Sequence, residues 1–538
     1  MLRRALPSVL LIILSFACAA DGAALLKGQV FDAETGKALA HRIYIQGEDS
    51  KWHFPKSASP DGSAIAYRKQ RGNRGSIEMH TTLSAHPFNV ELPPGQYTIT
   101  VERGKEYFPV TKKVTIGNEP ASLEVKLNRW IDMARLGWYS GDTHVHRTLA
   151  ELPNVQLAEH LNVSFPLLYW VTKGFQPPGT GDKTTGEKIQ PRLISIDDTH
   201  VIYPLNTEYE IFTVDGRQHT LGAFFVLNHK SVFQEGTPPV SSIAAKSKLQ
   251  GGLLELDKHN WPWSMMLVPV MGVDLFELSN NHVWRTEFGF TRFGEPPPEF
   301  MNVETDAQGF TERGWIEYGF QNYYTLLNCG FRLRPTAGTA SGVHPVPLGF
   351  GRVYVKLEGG FDYDSWIQGL DAGRSFVTTG PMLFVKVDNV GPGHVFHQTG
   401  GIKTYSISGT AQSIHPLGAV EILANGRLAK TVEVRNKKLS SGAYSCKIDE
   451  SIDVAASSWI AVRCFEQRPD GRCRFAHTGP FHVEVEGRPL VPRKAEIDFL
   501  VERMQTQIKR NEGILGEESL DEYRKALTVY EKIARSAK

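Results

Sequence analysis

The hydrophobic pattern of this chain changes period along its length. Over residues 26–32, 41–45 and 92–101 apolar and polar side chains alternate, the two-residue period of a half-buried strand. Thr35-Gly36 supplies a tight turn after the first stretch and Pro94-Gly95 opens the third, so 24–130 is predicted to be a β module. The insert over 51–86, basic and rich in Gly and Ser, is expected to be a surface loop leaning over a neighbouring domain. Across 131–390 short apolar runs (165–171, 209–214, 220–227, 253–256, 265–270, 274–278 and 331–334) are separated by polar stretches able to form helices. Strands alternating with such stretches predict an α/β barrel, with ligands at the carboxyl ends of the strands. Alternation returns at 404–410, 418–424 and 458–463, with Asn425-Gly426 as a hairpin turn, and predicts a second β-sandwich over 391–490. In the tail, 491–538, Ile497, Leu500, Val501, Met504 and Ile508 recur at helical spacing, as do Leu520, Tyr523, Leu527, Tyr530 and Ile533. That predicts a helical hairpin turning at 513–516, its second helix opened by the capping box Ser519-Leu520-Asp521-Glu522.

Composition narrows the class. At 538 residues the chain is too long for one core, and length suggests about three or four domains. A net charge of +1 gives no reason to expect nucleic acid or an anionic membrane as partner. Met1-Leu2-Arg3-Arg4, the apolar run 9–14 and Ala17-Cys18-Ala19-Ala20 have the three regions of a secretory signal peptide, assigned to 1–23. Its apolar part is too short to span a bilayer, so an exported protein, periplasmic or extracellular, is expected. Of the remaining cysteines, Cys464 and Cys473 flank the turn Arg468-Pro469-Asp470-Gly471, which predicts a cross-strand disulfide. The absence of CxxC spacing argues against a cysteine metal site.

Candidate chemistry centres on Gly141-Asp142-Thr143-His144-Val145-His146, read as the end of a strand. Residues two apart share a face, so His144 and His146 would project together, a half-set of ligands for zinc, iron or manganese. With 18 histidines in the chain the spacing alone is weak, and what strengthens it lies downstream. Glu208 precedes one apolar run, His219 opens the next, and His259 and His344 follow later ones.

In this order, Gly-Asp-x-His-x-His, His259-Asn260-Trp261-Pro262-Trp263, Phe276-Glu277-Leu278-Ser279-Asn280-Asn281-His282 and Gly338-Thr339-Ala340-Ser341-Gly342-Val343-His344 resemble the PHP (polymerase and histidinol phosphatase) superfamily. The closing run 372–381 resembles that of its exported carbaryl-hydrolase-like metallohydrolase branch. The N-terminal module resembles the transthyretin-like, carboxypeptidase-regulatory domain, usually a structural companion. The resemblance implies a distorted (β/α)7 barrel between β-sandwich modules. It also implies a metal site of His144, His146, Glu208, His219, His259 and His344, with Glu210 able to exchange roles with Glu208. One or two divalent ions (Zn, Mn or Fe) would activate water against a small-molecule phosphoester, carboxyl ester or carbamate. Glu208 or Glu151 could take the proton, and Lys173 could neutralise charge on the leaving oxygen. Three positions depart from the family pattern: no histidine stands in Tyr169-Trp170-Val171-Thr172-Lys173, Glu151 replaces an Asp, and Ala340 replaces another. These departures carry a second reading, an inactive PHP-like protein kept as a cell-surface or carbohydrate-binding module. Oligomeric state stays open.

Overall fold

Alternation in the first hundred residues builds two sheets rather than one sheet and a loop. The computed structural model describes residues 22–538 apart from 72–74, 182–183, 185–187 and 293, so the signal-peptide reading lies almost wholly outside the described residues. One sheet runs Ala121–Leu127, Ala24–Asp32, Phe88–Leu92, Lys56–Ser57; the other runs Ala64–Gln70, Ile77–Leu83, His41–Gly47, Gly95–Glu102, Val110–Ile116. Their inner faces share Leu26, Val30, Ile43, Ile45, Val90, Ile99 and Val125. The insert expected to be a loop thus holds four strands among its described residues. Ala64–Gln70 and Ile77–Leu83 form an antiparallel pair that extends the second sheet.

Trp138–Val145 pairs in parallel with Val163–Pro166 and antiparallel with Arg352–Lys356. A six-stranded sheet follows, ordered Tyr169–Lys173, Thr207–Val214, Arg217–Leu227, Leu253–Leu256, Leu275–Ser279, Arg334–Ala337. Its second and third strands are antiparallel, because Asp215 and Gly216 both take positive φ in a two-residue hairpin that leaves no room for a helix. At the far end Ala340 N donates to His144 O at 2.7 Å and Val145 bridges Ser341. The last strand thereby returns beside Trp138–Val145. The run 265–270, expected to be a strand, is helical: Ser264–Leu267 passes into a π-helical turn, Val268–Gly272. A short all-apolar run carries no period that separates a buried strand from a buried helix.

The sheet holding Trp138–Val145 continues through Arg352–Lys356, Ser375–Thr378, Phe475–Thr478, Ser458–Glu466 and Leu417–Ala424 to Arg427–Thr431. Met382–Val387, Lys403–Ser413 and Tyr444–Val454 form a second layer, over a core that includes Leu383, Ile407, Val420, Ile448 and Val462. Pairing therefore runs unbroken past residue 390. The chain as a whole is a mixed α/β protein of many sheets and few helices. All four described cysteines are free. The predicted disulfide fails on register, since Cys464 stands opposite Ala476 and not Cys473.

In the tail, Lys494–Asn511 and Glu517–Ala534 pack as a helical hairpin. Ile497, Leu500, Met504, Tyr523 and Tyr530 join the core of the central sheet. The expected capping box does not form: the second helix starts at Glu517, with Ser519 already inside it. Glu522 instead accepts hydrogen bonds from Val240 N and Ser241 N at the start of another helix, Ser241–Leu249. Among the described residues no helix is long and apolar enough to cross a membrane.

Candidate metal centre

Register brings the chemistry together. Glu208 stands opposite Phe225, and Phe225 opposite Glu255, so three neighbouring strands present these side chains in one row. Glu277, one strand further, stands opposite Thr336. Into this row Trp138–Val145 delivers His144 and His146. The return of the last strand is tight here: a Cβ on Gly338 would lie 2.2 Å from His144 Cβ and 2.6 Å from Glu277 Oε1, so only glycine fits.

Within the row His144 Nε2 and His146 Nε2 lie 3.2 Å apart. Glu208 Oε2 is 3.2 Å from His146 Nε2, and Glu208 Oε1 is 3.8 Å from His144 Nε2. On the other side of the ring, Glu277 Oε2 lies 3.1 Å from His144 Nδ1 and Asp257 Oδ1 lies 3.8 Å from it. Three overlapping groups have ligand atoms within 4.8 Å of one another: His144–His146–Glu208, His144–Asp257–Glu277 and Glu208–Glu210–Asp257. Ligands held at ~2.0–2.1 Å by a tetrahedral ion are themselves ~3.3–3.4 Å apart, close to the His144, His146 and Glu208 spacings. A carboxylate on the remaining nitrogen of a ligating histidine is the usual support of such a site, and Glu277 holds that position toward His144.

The electrostatics are those of a buried acidic nest. Glu255 accepts from Thr143 Oγ1 at 2.8 Å and Thr336 Oγ1 at 2.6 Å. Burial nevertheless pushes its carboxyl up to about 8, helped by the charges of Asp257 and Asp142. Glu277 is raised well above the carboxylate range by burial and by Asp257. Asp142 is also raised by burial, to about 6, although the Thr339 hydroxyl and the backbone N–H groups of Gly349, His144 and Thr339 oppose the shift. Lys258 brings an ammonium into the nest. Burial disfavours its charge, but Asp257, Glu210, Glu277 and Glu208 outweigh that and raise its pKa.

The other sequence-predicted residues lie apart from this cluster. His219 Nε2 bonds Asn511 Oδ1 of the tail at 2.7 Å. It sits six residues from Phe225 on the same strand, about 20 Å along an extended chain, too far to reach the row. His259 is buried beside Trp315 and Tyr318, with ring centroids at 5.0 and 5.2 Å, and its Nδ1 lies 3.3 Å from Asn280 Nδ2. Burial, with Arg503 and Lys258, lowers it to about 3. His344 belongs to a neighbouring group with Asn281, His282 and Trp284. Glu151 stands just before the short helix Leu152–Ala158 without a side-chain capping bond, and faces Arg147, 3.8 Å away. Lys173 is exposed at the end of its strand, and Lys258 is the ammonium that enters the nest.

Sequence reasoning passed over Glu255, Asp257, Lys258 and Glu277. Their signal was present: charged residues inside or directly after runs as apolar as Leu253-Leu254-Glu255-Leu256 and Phe276-Glu277-Leu278 are rarely buried without a task. Arg71 carried no such signal. It comes from the N-terminal module, and its Nη1 lies 2.9 Å from His344 Nδ1. Beside it Tyr67 donates to His344 O at 2.5 Å and accepts from Gly342 N at 2.8 Å, while Arg147 stacks 3.7 Å over the Tyr67 ring. Further along the hairpin Arg285 pairs with Glu78, and Asn154 donates to Thr82 O. A module expected to be a companion therefore packs against the His344 group beside the cluster.

No family model and no curated protein matches this chain. A crystal structure of a two-domain protein from Bacteroides vulgatus, described as containing a predicted PHP-like metal-dependent phosphoesterase, is similar at 10% identity. The likeness covers 64% of this chain and 94% of that one, with a TM-score of 0.27. A likeness of that size carries no argument about fold or chemistry.

Proposed function

We propose that this protein is an exported, metal-dependent phosphoester hydrolase of the PHP type. Export rests on the N-terminal charged, apolar and small-residue pattern. The barrel reading draws support from the return of Arg334–Ala337 to Trp138–Val145, which brings the strands round toward a ring. The convergence of His144 Nε2, His146 Nε2 and the Glu208 carboxylate carries the functional reading. These three residues would hold a divalent ion, and Asp257 lies on the same nest. When bound, such an ion supplies a Lewis acid and lowers the pKa of water toward neutrality.

The chain's own residues do the rest. Glu277 fixes the ring of His144 through Nδ1, so that Nε2 faces His146 and Glu208. Glu210, beside Glu208 and Asp257 in the nest, is a base for the proton released. Arg71 offers a planar fork of donors next to His344, suited to phosphoryl oxygens. That guanidinium favours an anionic phosphoester over a neutral carboxyl ester or carbamate.

The test is elemental analysis of protein purified without chelator, followed by hydrolysis assays on phosphomonoesters, phosphodiesters, carboxyl esters and carbamates. The expected result is bound first-row transition metal, lost in the double variant His144→Ala, His146→Ala, together with phosphoesterase activity. Full metal content in a folded double variant overturns the assignment.

A further inference from the structure

The acidic nest is not uniform. Glu255 is engaged by two threonine hydroxyls, and Glu277 faces the Nδ1 side of His144. What remains is a corner formed by Glu208, Glu210 and Asp257, whose oxygens lie within 4.8 Å of one another. This corner shares Glu208 with the histidine group, so the two positions are adjacent. Three carboxylates at that spacing suit a hard divalent cation such as Mn2+ or Mg2+.

That corner already has a cation. The Lys258 ammonium contacts Asp257 and is 3% exposed. It feels the charges of Glu210, Glu277 and Glu208 as well as Asp257. The Trp261 ring closes one side, 5.4 Å from Nζ. Ser264 Oγ donates to the Lys258 backbone carbonyl, fixing the root of the side chain. Burying an ammonium is costly unless charges surround it, and here they come from two strands, Thr207–Val214 and Leu275–Ser279, and from the loop after Leu253–Leu256. A surface ion pair needs one acid, whereas this arrangement has the many-acid surroundings of a metal ion.

We propose that Lys258 is a tethered cation standing where a second metal ion would otherwise bind, so that this centre holds one divalent ion and not two. The proposal rests on the reading of His144, His146 and Glu208 as ligands of the first ion. A lysine cannot be stripped by chelators or exchanged for another metal, so charge compensation at this corner is permanent.

The test is metal stoichiometry and the electron paramagnetic resonance of bound Mn2+, in the parent and in Lys258→Met, Lys258→Gln and Lys258→Arg. Met and Gln are both included so that one folded, uncharged variant is in hand, with folding checked by circular dichroism. The parent and Lys258→Arg are expected to bind one equivalent and show an isolated Mn2+ signal. Lys258→Met or Lys258→Gln is expected to bind two and show a spin-coupled pair. A parent that binds two equivalents overturns the proposal, as does a folded uncharged variant that stays at one. A parent that binds none sinks the ligand assignment itself, and this inference falls with it.

Discussion

Replacing Glu522 by alanine strips the cap from a helix to which it does not belong. Its carboxylate accepts from Val240 N at 2.9 and 3.0 Å, from Ser241 N at 2.8 Å and from the Ser241 hydroxyl. Helix Ser241–Leu249 has no side-chain cap of its own. It leads into Leu253–Leu256, the strand that carries Glu255 and ends beside Asp257 and Lys258. Loss of an N-cap costs about 1 kcal/mol. Val240 is fully buried, so its N–H finds no water in exchange, which adds about 1–3 kcal/mol. Ser241 is exposed and recovers its partners from solvent. The sum is about 2–4 kcal/mol for Glu522→Ala. Glu522→Gln keeps an acceptor oxygen and loses only the charge assistance, so it should cost about half as much. Urea denaturation followed by tryptophan fluorescence and far-ultraviolet circular dichroism measures both. A loss below about 1 kcal/mol in the Ala variant, or equal losses in Ala and Gln, refutes the capping role.

Two further outcomes can be checked directly. Arg71→Ala should raise KM for an anionic phosphoester about tenfold to a hundredfold, the worth of one or two charge-assisted hydrogen bonds, while metal content stays at the parent value. An unchanged KM removes the N-terminal module from substrate recognition. His477 is held neutral, its Nδ1 against Thr478 O at 2.7 Å and its Nε2 against the Tyr324 hydroxyl at 2.8 Å. Burial, with Arg463, lowers it to about 3 against the pull of Thr478 O. A folded pKa below the unfolded value of ~6.5 means that the unfolded chain binds the extra proton, so this contribution is complete above pH ~6.5 and fades as pH falls. Urea titrations from pH 7 to pH 4 should show the parent losing about 1.4 kcal/mol more per pH unit than His477→Gln, and parallel curves would contradict this.

What could be read from the chain was local. Period-two alternation in Ala24–Asp32 and Gly95–Glu102 and period-3.6 spacing in Lys494–Asn511 and Glu517–Ala534 each depend on neighbours a few residues away. The strand bearing His144, with His146 one residue past its end, was legible for the same reason. What escaped was set by partners far along the chain. Arg71 meets His344 across 273 positions, and Glu522 reaches Val240 across 282. No periodicity records such meetings. His219 shows the converse: motif order suggested a ligand, but the length of its strand carries it to the far end. A lysine beside an aspartate usually means a solvated turn, so Asp257-Lys258 carries no local sign of burial. Only the walls supplied by three other segments turn it into a buried ion.

The tail hairpin has a bearing on what steadies the loop beside the acidic nest. Arg503 donates to the carbonyls of Asn260 and Trp261 at 3.0 and 2.9 Å, Tyr530 donates to Met265 O at 2.6 Å, and Arg510 donates to Thr220 O at 2.7 Å. These carbonyls sit in the loop that follows Lys258, in the short helix Ser264–Leu267 and in the strand Arg217–Leu227. Each donor lies between 242 and 290 positions further along the chain. Without these two helices the loop beside the acidic nest lacks its donors, and a chain cut before Lys494 carries every proposed ligand without this clasp. The tail is thus a brace for the nest, although no proposed ligand lies on it.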